Sequence, residues 1–386
     1  MRQKIEEIYR VIDQNYSFCK DIGLLSGKGG IVLFLFYYYK LTLNTKAYDL
    51  GSYLIEAILA EINQRETLLD FCHGIAGIGW LIEHLEQNEF LECDTNDLLS
   101  GIDEYIYKSA IIDLQNKDYD FLHAAIGKGL YLLKRKKVNE SYLEEIAKLM
   151  LKISESPLEG QLRWPSPHPL NQRMYNISLS HGIAGIINFF TRLIELDTVK
   201  SEAQAIVNKS INYLLTLKFE NQISIFPNNH ILEKHKYLPS RLAWCYGDLG
   251  IGITLWQVSQ SLDDKFLEKN AMQIMLHSTR RRDLKDNRVI DAGLCHGTSG
   301  IAHIFNRMFI NTGLQEFEES SDYWFNETLK MARFSDGLAG YKSWQGRNNG
   351  WYKEINFLEG IAGVGLALIS KVSDIMPQWD ECLLLS

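Results

Sequence analysis

Cys72-His-Gly-Ile-Ala-Gly-Ile78 is one of seven related heptapeptides in a chain of 386 residues, and their recurrence decides the fold. The others are Leu25-Ser-Gly-Lys-Gly-Gly-Ile31, Leu122-His-Ala-Ala-Ile-Gly-Lys128, Ser180-His-Gly-Ile-Ala-Gly-Ile186, Cys245-Tyr-Gly-Asp-Leu-Gly-Ile251, Cys295-His-Gly-Thr-Ser-Gly-Ile301 and Leu358-Glu-Gly-Ile-Ala-Gly-Val364. Aligned on their second residues (Ser26, His73, His123, His181, Tyr246, His296 and Glu359), they recur at steps of 47, 50, 58, 65, 50 and 63 residues. A period of that size suits a helix-turn-helix unit with loops of varying length.

The stretch after each heptapeptide stays apolar for two or three turns, as in Ile186-Ile-Asn-Phe-Phe-Thr-Arg-Leu-Ile194, which predicts an inner helix buried over much of its surface. The stretch before each is amphipathic. Leu50, Leu54, Ile58 and Ile62 recur at helical spacing, as do Tyr142, Ile146, Leu149 and Met150 behind a Ser141-x-x-Glu144 capping box. Glycine at the start of each inner helix lets two backbones approach closely. Seven such turns at one end of a ring would aim their second side chains at one central mouth. The expected fold is all-α, one domain over residues 1–386. Two irregular stretches, Pro157 to Asn176 and Asn221 to Arg241, are expected to wall the mouth, because loops on a rigid scaffold carry binding function.

Composition narrows the function. At 46% hydrophobic and 23% charged the chain can bury a large core. A net charge of −8 gives no general attraction to phosphate backbones, so nucleic acid is not an expected partner. The longest apolar run, Ile31 to Tyr39, is far short of the ~20 residues that span a bilayer, which predicts no integral membrane segment and a cytoplasmic protein. The six cysteines do not read as a disulfide framework.

Cys245 and Cys295 hold the same heptapeptide position in successive repeats, 50 residues apart, and His296 follows Cys295. Neighbouring repeats of a ring would bring them close. Two thiolates and an imidazole make a three-ligand zinc site with its fourth position open, as catalytic zinc requires. Cys72-His73 is the internal competitor, but the adjacent repeats carry Leu25 and Leu122 in place of a second cysteine. Cys72 is therefore read as a small buried apolar residue, and His73 as a wall or capping residue.

With these residues in view, the chain resembles the lantibiotic cyclase family, the lanthionine synthetase C-like proteins, from about Leu25 to Leu368. The segments that carry the resemblance are Ser178-Leu-Ser-His-Gly-Ile-Ala-Gly185, Arg241-Leu-Ala-Trp-Cys-Tyr-Gly-Asp-Leu-Gly250 and Gly293-Leu-Cys-His-Gly-Thr-Ser-Gly300. The resemblance implies an α/α toroid of seven helical hairpins. It implies Zn2+ on Cys245, Cys295 and His296, with His181, Asp120, Arg241 and Tyr246 assisting catalysis. Asp120 maps through Tyr119-Asp-Phe-Leu-His123, although Ala124 stands where the family usually has glycine. The other reading of Asp120 is a helix cap, that of Arg241 a cap or a bridge to a carboxylate, and that of Tyr246 simple packing.

The implied reaction is Michael addition of a peptide cysteine to dehydroalanine or dehydrobutyrine, giving (methyl)lanthionine thioether rings. The implied partners are a dehydrated precursor peptide of leader plus core, a dehydratase and a transporter, with membrane association only through such partners. Alternatives are a related zinc protein that adds glutathione to dehydrated peptides and a non-catalytic zinc or peptide-binding module. Helical toroids also serve diphosphate chemistry, but Asp263-Asp264 lacks a third aspartate, which argues against a magnesium-diphosphate site. The basic run Arg280-Arg-Arg-Asp-Leu-Lys285 reads as the solvated end of an outer helix.

Overall fold

The structure is a computed structural model that describes residues 1–64, 66–137, 139–166, 173–220, 222–232 and 238–386. The described helices in chain order are α1 (Arg2–Asn15), α2 (Lys28–Thr42), α3 (Thr45–Ile62), α4 (Ile75–Gln87) and α5 (Thr95–Gln115). There follow α6 (Ala125–Lys134), α7 (Glu140–Ile153), α8 (Ile183–Leu193), α9 (Lys200–Leu215) and α10 (Asp248–Leu262). The last four are α11 (Lys265–Ser278), α12 (Thr298–Thr312), α13 (Gln315–Met331) and α14 (Ile361–Val372). Two 3-10 turns, Tyr16–Phe18 and Gln378–Leu383, and two antiparallel pairs complete the described elements, the pairs being β1 (Met174–Asn176) with β2 (Asn229–Ile231), and β3 (Ser343–Trp344) with β4 (Trp351–Tyr352).

Every even-numbered helix begins inside a glycine heptapeptide, and each odd-numbered helix precedes it. The reason is steric. At Gly300 and Gly363, a Cβ would lie 1.9 Å from the carbonyl oxygens of Leu294 and Phe357, because the first helical turn folds back onto backbone six residues earlier. No side chain fits there. The inner helices are sheathed: in α8 every residue except Arg192 is buried. Outer α5 buries, beyond Thr95 at its start, only a stripe, Leu99, Ile106, Ala110 and Leu114, at helical spacing.

The helices fall into two compact units, Met1–Cys93 with Val289–Asp380, and Asp94–Arg288 with Glu381–Ser386. In the first, the turns of four heptapeptides are stitched through main chain. Cys295 N–H donates to Leu358 O at 3.0 Å, Leu358 N–H to Leu25 O at 2.9 Å, and Leu25 N–H to Cys72 O at 3.1 Å. In the second, the fourth turn meets the fifth, with Ser180 Oγ donating to Cys245 O at 3.2 Å.

Three local expectations need correction. The Ser141-x-x-Glu144 box does not form: the N-cap of α7 is Asn139, which accepts from Ser141 N–H, and Glu144 pairs with Lys148. The buried face of α7 is Leu143, Ile146, Ala147 and Met150, leaving Tyr142 to stack on Tyr107. Nor is the basic run solvated throughout. Arg281 is 4% exposed and bonds the fully buried Asp248 at 2.9 Å, Asn287 Oδ1 at 2.8 Å and Ser240 O at 2.7 Å. Asp248 also accepts from the N–H groups of Ile225 and Phe226, so this pair braces the loop leading to the fifth heptapeptide.

Removing one partner of a buried pair leaves an uncompensated charge, which costs about 3–5 kcal/mol. Arg281→Met is therefore expected to lower unfolding free energy by that amount in urea titration. A change under about 1 kcal/mol would contradict the bracing role.

Candidate active site

In the second unit, the third heptapeptide is entered through Asp120. Its Oδ1 accepts the N–H groups of Leu122 and His123 at 2.8 and 2.9 Å, closing the turn before α6. Its Oδ2 lies 2.6 Å from His181 Nδ1. Asp120 thus caps its own turn with one oxygen and pairs with His181 through the other. Ala124 is buried at φ −137°, an extended conformation open to any residue, so the missing glycine leaves the turn intact.

His181 is placed by the fourth heptapeptide, where its N–H donates to Ser178 Oγ at 3.1 Å. Because a carboxylate only accepts, Nδ1 donates to Asp120 and Nε2 is the nitrogen left for chemistry. Burial of the ring opposes its charging, but the hydrogen bond and charge of Asp120, then the charge of Cys245, outweigh burial and raise its pKa. The ring lies 6.1 Å from those of His123 and Tyr246. Asn176 Nδ2 donates to Tyr246 Oη at 3.4 Å. Asp120, Asn176, His181 and Tyr246 line one cavity of about 510 Å³.

Arg241 sits half-buried between Ser240 and Leu242, whose main chains are tied to Arg281 and Asn287. Among the described residues no carboxylate pairs with its guanidinium, so it does not bridge there. Residues 167–172, 221 and 233–237, within the two stretches expected as walls, lie outside the described residues.

Soft donors stand in each unit. Cys245 is buried in the second, one residue before Tyr246. The first holds Cys295, half-buried, and His296, whose Nε2 is 3.8 Å from Asp291 Oδ2. It also holds Cys72, 3% exposed with its thiol pushed up by burial, 3.9 Å from His73 Nε2. His73 is raised to about 10, chiefly by its hydrogen bond with Asp70, whose Oδ1 also accepts the His73 N–H at 2.6 Å. No disulfide joins any of the six cysteines.

A profile of the family described as lanthionine synthetase C-like protein matches residues 19–384. The chain belongs to this family. Among curated relatives, the nisin biosynthesis protein NisC of Lactococcus lactis subsp. lactis is 26% identical over 415 residues, spanning 98% of this chain and 92% of NisC. Among solved structures, nisin cyclase superposes with a TM-score of 0.77 at 20% identity, covering 100% of this chain and 97% of that one. That likeness carries the fold, so the lanthionine synthetase C-like chain is all-α, of the α/α toroid class. No described helix is long and apolar enough to cross a membrane.

Two residues escape sequence reading: Asn176 beside Tyr246 in the second unit, and Asp291 beside His296 in the first. A signal existed for the caps: Asp70, Asp120, Ser178 and Asn356 each stand three residues before an aligned heptapeptide position and accept its N–H.

Because Asp120 raises His181, Asp120→Asn is expected to lower the His181 titration midpoint, followed by imidazole NMR; an unchanged midpoint would contradict the pairing. The sign for stability follows. A raised histidine stabilises the fold fully below its unfolded value of about 6.5, and that contribution is lost as pH rises through the folded value.

Proposed function

We propose that this chain is a zinc-dependent lanthipeptide cyclase acting on a dehydrated precursor peptide. The observation that carries the reading is the His181–Asp120 pair, 2.6 Å apart on the wall of a cavity shared with Tyr246, in a member of this family. The names of NisC and nisin cyclase support the same activity class. A single domain over residues 1–386 belongs to the proposal, as do a cytoplasmic setting, a dehydratase and a transporter as partners.

Cys245, Cys295 and His296 are the proposed zinc ligands. The donor set fits: two thiols and one imidazole, the cysteines at equivalent positions of successive heptapeptides and engaged in no disulfide. When bound, zinc supplies deprotonation of the substrate thiol, which as a free thiol of pKa about 8.5 is only a few per cent thiolate at neutral pH.

The remaining work falls to this chain's side chains. As the peptide sulfur bonds to the alkene β-carbon, the π electrons move toward the α-carbon and the adjoining carbonyl. The Arg241 cation, which no carboxylate among the described residues pairs with, suits the developing enolate charge. His181, its Nδ1 fixed by Asp120, delivers a proton from Nε2 to the α-carbon and is restored by the proton that the thiol gives up. Tyr246, with its hydroxyl held by Asn176, closes one side of the cavity. One S–H and one C=C become one C–S and one C–H, so mass is unchanged.

Mass spectrometry with thiol counting tests this. A dehydrated precursor is expected to form rings at constant mass while losing one thiol per ring, because a tethered thiol has an effective molarity far above solution thiols. His181→Ala is expected to slow closure ~100-fold or more. A mass gain of one glutathione outrunning ring closure would favour the thiol-adding relative. Peptide binding by zinc-loaded protein without thiol consumption would leave only the binding module.

A further inference from the structure

Asp291 lies in the first unit, five residues before His296, and is 3% exposed. Its carboxylate is fixed by two main-chain donors. Oδ1 accepts the Gly293 N–H at 3.2 Å, and Oδ2 accepts the Trp344 N–H from β3 at 2.8 Å. Its own carbonyl accepts from Thr298 N–H at 3.0 Å, which ties it to the first residue of α12. The carboxylate therefore cannot swing away without breaking the turn that presents Cys295 and His296.

An ionised carboxylate offers about four lone-pair sites, and the two main-chain donors use two. Oδ2 also lies 3.8 Å from His296 Nε2, in a side chain only 18% exposed. At 3.8 Å the two are within ion-pair reach but too far apart for a direct hydrogen bond, and the carboxylate charge favours the ring proton on the nearer nitrogen over a lone pair there. The lone pair is then on Nδ1. A carboxylate behind the far nitrogen of a ligating histidine fixes both tautomer and orientation.

We propose that Asp291 is the positioning residue of His296: it holds the imidazole proton on Nε2 and so makes Nδ1 the metal-ligating nitrogen. The metal half of this statement rests on the zinc reading above; the tautomer half stands on the first unit alone. The hairpin of β3 and β4 thereby becomes part of the site, because its Trp344 N–H occupies one side of the carboxylate. The hairpin has a second anchor, Gln345 Nε2 donating to Glu359 Oε2 at 2.5 Å, which does not involve His296.

The test has two parts. In metal-free full-length protein above the imidazole titration, nitrogen-15 NMR of His296 is expected to show a protonated Nε2 and an unprotonated Nδ1. The opposite tautomer overturns the proposal without recourse to any variant. In Asp291→Asn, one zinc per chain is still expected at saturating zinc, with affinity in chelator competition 10–100-fold below native. Gln345→Ala, which releases only the second hairpin anchor, is expected to stay within twofold of native. Native-like affinity in Asp291→Asn, or an equal loss in Gln345→Ala, overturns the positioning role. A native chain that binds no zinc overturns the ligand set and the metal half with it, and the tautomer measurement then decides the Asp291–His296 pairing.

Discussion

The structure depends on the contact between the second glycine of a heptapeptide and a carbonyl oxygen six residues earlier. At Gly300 and Gly363 that oxygen lies where a Cβ would be, so the chain reverses against its own backbone before each inner helix starts. The close approach fixes where the helix begins and aligns the preceding residues for main-chain bonds to the next turn, as from Cys295 to Leu358 and Leu358 to Leu25. The second residue of every heptapeptide is then displayed at the same place relative to its helix. That residue varies from Ser26 to His73, Tyr246 and Glu359, while the scaffold is left alone.

Two features show how this display fixes the geometry of a histidine. Asp120 spends one oxygen on its own turn and the other on His181 from the next heptapeptide, so one side chain both builds the scaffold and sets the imidazole. Asp291 follows the same economy, gripped by Gly293 and Trp344 while facing His296. Rigidity of the carboxylate is the shared requirement, since a ligand or a proton donor misplaced by about 1 Å loses much of its effect.

The hairpin repeat was legible because its signature is steric and local: glycines, an apolar run after them and an amphipathic run before. Asp120 and His181 were singled out only through family resemblance, and their pairing was not legible at all, since a residue three positions before the heptapeptide histidine reads equally well as a cap, and here it is one. Arg281 was misread because its partner Asp248 is 33 residues away and nothing in a run of basic residues says which one turns inward. Asp291 stayed hidden for the same reason, its fixing donor Trp344 being 53 residues distant on a two-residue strand. The Ser141 box failed because Asn139, two residues earlier, offers its own side-chain oxygen to the Ser141 N–H.

Metal analysis of the purified chain most directly tests whether the heptapeptide register builds a catalytic centre. About one zinc per chain is expected, falling to none in the Cys245→Ala, Cys295→Ala double variant while helicity is kept, and persisting in Cys72→Ala. Full zinc occupancy in the double variant, or its loss in Cys72→Ala, would contradict the assignment.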